Sequence, residues 1–189
     1  MNMRKRKIVW GITGAGDLLD ETLGVMKGLK EAYDGKVEIE VYLSKAGEQV
    51  LQFYRLGDKL RSHFRQVHVE KDANTPFITG RLHLGRFDFL ILAPATSNTV
   101  AKIAHGISDT LLTNSAIQAL KACVPVYLMP VDYMEGAIVT TLPNGNELEL
   151  RVRKEDAENV VKVSEMDGII ILKKPEEIEE IFDSVFGVP

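Results

Sequence analysis

Phe87-Asp88-Phe89-Leu90-Ile91-Leu92-Ala93-Pro94-Ala95-Thr96-Ser97-Asn98-Thr99-Val100-Ala101-Lys102-Ile103-Ala104 is the stretch whose reading decides the fold. The run from Phe87 to Leu92 is apolar apart from Asp88, which suits a strand at the centre of a parallel sheet, buried on both faces. Ala93-Pro94-Ala95 stops that strand and keeps its end slim enough for a flat ring to approach the backbone. A helical pattern opens near Ser97 and lasts to Ala104. Thr96, Ser97, Asn98 and Thr99 put three hydroxyls and an amide at this helix start, where capping needs one such residue. Two readings stay open at this point: simple capping, and a polar ligand at the strand's carboxyl end.

Strand and helix alternate on both sides of this stretch. Residues 7–12, Lys-Ile-Val-Trp-Gly-Ile, read as a buried strand, 20–33 as a helix and 37–43 as a second strand; another helix begins near Ala46. The stretch 66–87 is less regular, with a short strand over 66–70. A helix over 109–122 and a strand over 124–129 follow. In the last third, 137–141 and 147–152 flank Pro143-Asn144-Gly145-Asn146, a hairpin signal because Asn-Gly tolerates positive φ. A helix over 155–163, a strand over 169–172 and a helix after Pro175 complete the chain. The alternation predicts a doubly wound parallel α/β sheet, Rossmann-like, with a C-terminal hairpin and helix. One domain is expected over 1–189, with a core at 7–134 and an extension at 135–189.

Composition narrows the class. The chain has 189 residues, 45% of them apolar and 26% charged, the balance of a folded domain and not of a disordered one. A net charge of −4 gives no support to a general nucleic-acid role. Cys123 is the single cysteine, so no intrachain disulfide can form, and its apolar setting predicts a small buried residue. The basic start, Met-Asn-Met-Arg-Lys-Arg-Lys, precedes an apolar run over 8–12 that is too short for a secretory segment. No apolar run approaches the roughly 18 residues of a membrane span. A cytoplasmic location without membrane contact is the expectation, and no metal site is expected.

Ligands of open α/β sheets bind beyond the carboxyl ends of the strands. Here those ends carry Thr13-Gly14-Ala15-Gly16, Ser44-Lys45, Ala95 to Thr99, and Pro130-Val131-Asp132. The first could present backbone N–H groups to a phosphate, or be a plain tight turn. It is not a dinucleotide fingerprint, since Leu19 stands at the third glycine position, and no Gly-Lys-Ser/Thr makes it a Walker loop. Ser44-Lys45 donates hydrogen bonds where a ribose-binding strand would end in Asp or Glu, which argues against NAD. Ser44 serves equally well as a helix cap.

Ala93 to Ala104, continued by Gly106-Ile107-Ser108-Asp109-Thr110-Leu111-Leu112, resembles the signature of the superfamily of flavin-containing cysteine decarboxylases. Phosphopantothenoylcysteine and lantibiotic decarboxylases belong to it; flavin prenyltransferases and the dipicolinate synthase B subunit are more distant. The similarity runs in order from Lys7 to about Met134. It implies a flavodoxin-like domain holding FMN. It places Thr13, Gly14, Ala15 and Ser44 near the phosphate. Thr96, Ser97, Asn98 and Thr99 would contact phosphate, ribityl chain or ring, and Val131 would sit near the ring. It also implies a homo-oligomer, a trimer or a dodecamer built of trimers, with flavin sites at subunit contacts. Asp109 would join such a contact or cap the next helix.

The departures from that pattern bear on the reaction. The decarboxylases carry Pro-x-Met-Asn-x-x-Met after the fourth strand, which holds a substrate carboxylate. Here the chain reads Met129-Pro130-Val131-Asp132-Tyr133-Met134: the asparagine is missing, and Asp132 would repel a carboxylate. His83 stands too close to the third strand of the core pattern for the family's catalytic histidine, and reads instead as a solvated loop residue. Neither the C-terminal cysteine loop nor the prenyltransferase Arg-Glu-x-Pro segment is found. The whole chain looks most like the archaeoflavoprotein branch, whose members are linked to ferredoxin; a sister branch reduces dihydromethanopterin. An FMN redox flavoprotein is therefore implied, accepting electrons from ferredoxin and passing them to an acceptor such as a pterin. The alternatives are an FMN-dependent decarboxylase of a cysteine-type substrate and an assembly subunit of a two-component synthase.

Arg55, Lys59, Arg61, His63 and Arg65 cluster in an otherwise acidic chain. They could steer an acidic ferredoxin, or form a solvated helix face with Leu56, Leu60 and Phe64 inward. No side chain is obliged to act as acid, base or nucleophile. Asp132, Tyr133 and His83 are candidates for proton supply.

Overall fold

The computed structural model describes residues 6–142 and 144–189. The basic residues 1–5 and Pro143 of the hairpin signal lie outside them. The elements in chain order are β1 (Arg6–Ile12), α1 (Leu19–Ala32), β2 (Val37–Leu43), α2 (Lys45–Phe53), α3 (Gly57–His63), β3 (Val67–Val69), α4 (Thr79–His83) and β4 (Phe89–Ala95). They continue with α5 (Ser97–Ala104), α6 (Leu111–Lys121), β5 (Val126–Pro130), β6 (Gly136–Thr141), β7 (Glu147–Val152), α7 (Lys154–Ser164), β8 (Ile169–Ile171) and α8 (Glu177–Phe186).

Six parallel strands form one sheet in the order β3-β2-β1-β4-β5-β8. The chain winds outward from β1 to β3, returns to β4 beside β1, and winds out the other way. That reversal is a topological switch point, and a crevice opens there because the following helices leave to opposite faces. Alternation along the strands fixes the faces. Ile8, Trp10 and Ile12 join Leu23 and Met26 of α1, Leu51 of α2, Leu60 of α3 and Phe182 of α8 in one buried cluster. Val9, Leu90 and Leu92 join Leu82 of α4, Val100 of α5, Leu112 of α6 and Val163 of α7 in the other. From the last third, β8 extends the main sheet and α8 packs on α1, while β6 and β7 form a separate antiparallel hairpin. Gly145, at φ 83°, supplies the positive φ that the hairpin turn needs.

The central strand departs from expectation in an informative way. Pro94 does not stop it: β4 runs on to Ala95, with a register shift between Leu92 and Ala95. The irregularity reverses the alternation, since Ala93 faces the first cluster and Ala95 the second. Two buried carbonyls at the irregularity take side-chain donors from β1 and the residue that follows it. The indole N–H of Trp10 donates to Ala93 O at 2.7 Å, and the Thr13 hydroxyl donates to Pro94 O at 2.9 Å.

Three further differences have local causes. The stretch read as irregular contains α4, a helix too short to show a period. It is tied to the sheet by Arg81, whose guanidinium grips the buried Glu40 carboxylate with two bonds of 2.6 Å. Cys123 is exposed, not buried, because it takes φ 55° in the turn after α6 while Val124 turns inward. The cap of α6 is Thr110, whose side chain accepts from Thr113 N–H; Asp109 lies outside the helix and pairs with Lys102 at 2.9 Å. No helix among the described residues is long and apolar enough to cross a membrane.

Candidate functional site

The crevice at the switch point holds two lobes that meet across Gly14, Thr96 and Asn98. Most of the residues that line them follow the carboxyl ends of strands. Two glycines permit the close approach of the loops. A Cβ on Gly14 would lie 2.7 Å from Ala46 Cβ, and one on Gly47 would lie 2.4 Å from the Ile12 carbonyl oxygen. The β1–α1 loop and the first turn of α2 therefore touch backbone to backbone.

The first lobe, about 530 Å³, lies between the loops after β1, β4 and β5. Ala15, Ala101 and Val131 give it apolar walls, and Ser97, Asn98 and Asp132 its polar ones. Its outer wall comes from the hairpin and α7, through Ile138, Leu150, Arg153 and Asp156. The second lobe, about 520 Å³, is lined by Ser44, Lys45, Thr96, Asn98, Thr99 and Lys102, with Glu70 and Asp109 beside them.

The donor set is unusual in what it leaves unused. The N–H groups of Gly14, Ala15 and Gly16 find no acceptor among the described residues, although Ala15 is buried. The same holds for the N–H groups of Ser97 and Asn98 at the start of α5. Buried backbone donors without partners are rare, and successive ones form an anion-binding concavity. The helix start adds its partial positive charge. The side chain of Asn98, exposed at the junction of the lobes, has no partner among the described residues either.

The residues singled out from the sequence divide into two groups. Gly14, Ala15, Thr96, Ser97, Asn98 and Val131 line the first lobe, and Ser44 lines the second together with Gly14, Thr96 and Asn98. Thr13 and Thr99, buried at 2% and 8% exposure, also line the second lobe, and their hydroxyls bond within the protein. The Thr13 hydroxyl accepts from Thr96 N–H at 2.9 Å, and the hydroxyls of Thr96 and Thr99 lie 3.0 Å apart. Thr96 is the cap of α5, accepting from Thr99 N–H. Ser44 caps α2, accepting from Gly47 N–H at 2.9 Å, and it lines the second lobe. Capping and ligand contact are thus compatible at both helix starts.

Sequence reasoning missed several wall residues. Glu70 is buried and accepts from Lys45 N–H at 3.2 Å and Leu111 N–H at 3.1 Å, so one carboxylate holds the starts of α2 and α6. Arg153 grips Asp156 with bonds of 2.9 and 2.6 Å at the start of α7. The Arg153 guanidinium holds the Asp156 carboxyl below the usual carboxylate range, against the opposing effect of burial. Asp17 accepts from the Thr140 hydroxyl, which pins the hairpin to the β1–α1 loop, and Asp132 accepts from the Ser97 hydroxyl. An acid in the first turn of a helix, three residues after its cap, as at Arg153-x-x-Asp156, is the one local signal available.

Two candidates for proton supply move away from the site. His83 ends α4, just before the amino end of β4 and so at the opposite end of the sheet; it bonds Gln118 at 2.9 Å. Tyr133 is 37% exposed and lines neither lobe. In the basic cluster, Lys59 pairs with Asp20 at 2.5 Å and Arg61 with Glu48 at 3.1 Å. Arg55 and Arg65 have no acidic partner among the described residues. No group of three or more His, Cys, Asp or Glu suited to a metal ion occurs among the described residues.

A model of the Flavoprotein family matches residues 1–187. An uncharacterized protein of Methanocaldococcus jannaschii is 47% identical over 175 residues, 93% of each chain. A dihydromethanopterin reductase (acceptor) of the same organism is 35% identical over 237 aligned positions, covering 94% of this chain and 96% of the relative. That alignment is longer than the present chain, so the reductase carries segments absent here. Among solved structures, Burkholderia xenovorans DmrB in complex with FMN, described as a cubic protein cage for redox transfer, superposes with a TM-score of 0.79 at 34% identity, covering 97% of this chain and 96% of that one.

Proposed function

The chain belongs to the Flavoprotein family, and on that premise we propose that it binds FMN in the two-lobed crevice and works as a redox flavoprotein with a pterin-type acceptor. The observation that carries the reading is the set of unpartnered N–H groups at Gly14, Ala15 and Gly16 and at Ser97 and Asn98, converging from two strand ends on one crevice. An anion-bearing ligand fits such donors. A ligand with one flat, partly apolar end also fits the Ala15, Ala101 and Val131 walls of the first lobe.

On this reading Ser44, Lys45 and the loop N–H groups hold the phosphate, with Ser97 and Asn98 contacting the rest of the cofactor and Val131 facing the ring. Thr13, Thr96 and Thr99 hold the two loops in register behind it. When bound, FMN supplies a ring that takes up and releases electrons singly or in pairs. The chain's part is to bind and orient, and to limit water at the first lobe through Ile138 and Leu150 of the hairpin. Asp132, with its hydroxyl partner Ser97, stands closest to a proton-handling role. The relatives named for dihydromethanopterin reduction and redox transfer support the acceptor class.

The same reading takes ferredoxin as donor, docking near Arg55, Lys59, Arg61 and Arg65. It also gives a homo-oligomer built on trimers, in which a second copy covers the exposed Met134, Val139 and Leu148 beside the crevice. The test is anaerobic. The purified protein should carry or take up FMN, be bleached by reduced ferredoxin, and be reoxidised by a dihydropterin without release of carbon dioxide. Failure to take up FMN would refute the reading.

A further inference from the structure

We infer that Asp132 sets the acceptor's identity, its carboxylate receiving the paired amino and ring N–H donors on the pyrimidine edge of a pterin. The inference rests on the pterin-acceptor reading above. Asp132 follows Val131 at the carboxyl end of β5 and lines the first lobe, half-buried. The Ser97 hydroxyl donates to Oδ2. Oδ1 has no partner among the described residues.

The other charges that line the lobe are engaged elsewhere. Asp156 is gripped on both oxygens by Arg153, the one cation among the described residues that line the lobe. Asp17 takes the Thr140 hydroxyl and anchors the hairpin. A ligand entering beside Val131 therefore meets a carboxylate held in place by one hydroxyl, with no free positive charge to balance it. An anionic or acceptor-only edge is repelled there. A donor–donor edge, with two N–H groups side by side, matches the two oxygens of a carboxylate, and such charge-assisted paired bonds are both strong and directional. A pterin presents that edge through its amino group and the adjacent ring N–H. Lumazine, in which an oxo group replaces the amino group, turns one donor into an acceptor and leaves an oxygen facing an oxygen. Such a mismatch excludes as effectively as the matched pair attracts. Ser97 acts through Asp132 as a positioning residue.

Replacing the carboxylate by an amide should invert the preference. In Asp132→Asn, Oδ1 still accepts from the ring N–H while the amide NH2 donates to the lumazine oxo group. The experiment measures equilibrium binding of pterin and of lumazine to the FMN-loaded, oxidised protein by quenching of pteridine fluorescence. The flavin spectrum serves as the check that cofactor and fold are retained. Wild type should bind pterin at least about tenfold more tightly than lumazine, and Asp132→Asn, with FMN still bound, should lose or reverse that ratio. Equal binding of the two pteridines by wild type would overturn the inference without any variant. An unchanged ratio in Asp132→Asn would overturn it while leaving the pterin-acceptor reading intact. If FMN-loaded wild type binds neither pteridine, the acceptor reading falls and the inference with it.

Discussion

The Thr13 hydroxyl stitches the end of β1 to the end of β4: it donates to Pro94 O and accepts from Thr96 N–H, both at 2.9 Å. One buried side chain thereby closes the switch point from behind, and the loops that carry the unpartnered N–H groups of Gly14 and Ser97 are held to one another through it. Replacing Thr13 by valine keeps the shape and removes both bonds. Thr13→Val should destabilise the protein by about 1–3 kcal/mol in urea denaturation and weaken FMN binding, whereas Thr13→Ser should stay close to wild type.

The hairpin is fastened over the first lobe by the Thr140 hydroxyl on Asp17 and by the Tyr54 hydroxyl on Thr141 O at 3.4 Å. Thr140→Val removes the shorter of the two. Backbone amides of β6 and β7 should then exchange with solvent faster, while those of β1 and β4 keep their protection. Equal loosening of the central strands would mean that the hairpin is part of the core's cooperative unit.

Acid should act on the outer wall through Asp156. Its carboxyl is held below the ordinary range by Arg153, so the pair's contribution is complete above about pH 4 and is lost as pH falls through the lower, folded-state value. Urea midpoints measured down the acid limb should fall more steeply in wild type than in Arg153→Gln, which has already lost the interaction at neutral pH.

Not all of the basic cluster should matter for docking. Lys59 and Arg61 are already paired with Asp20 and Glu48, whereas Arg55 and Arg65 are unpaired among the described residues. Arg55→Glu combined with Arg65→Glu should slow reduction by ferredoxin about tenfold at low ionic strength, with the gap closing as salt screens the field. Lys59→Gln should have a smaller effect. A salt-independent loss in the double variant would point away from electrostatic steering.

Much of the fold and part of the crevice were legible in the sequence because their causes are local. The apolar run at Phe89 to Leu92, the helix start at Thr96 and the turn at Asn144-Gly145 each follow from a few adjacent residues. What could not be read was whatever depends on distant partners. The continuation of β4 through Pro94 needs Trp10 and Thr13, over 80 positions away, to supply donors. The short helix α4 depends on Arg81 reaching Glu40 in β2. The wall made by Ile138, Leu150, Arg153 and Asp156 exists only once the hairpin folds back over a loop far earlier in the chain. Cys123 shows the converse error: an apolar neighbourhood in sequence does not bury a residue that must turn the chain.

The central claim is that the two lobes together hold FMN, with its phosphate among the donors beside Ser44 and Gly14. Titration of the apoprotein with FMN and with riboflavin, followed by flavin fluorescence quenching, tests it most directly. FMN should bind one per chain, and riboflavin, lacking the phosphate, at least about tenfold more weakly. Equal affinity for the two flavins, or no binding of either, would contradict the account.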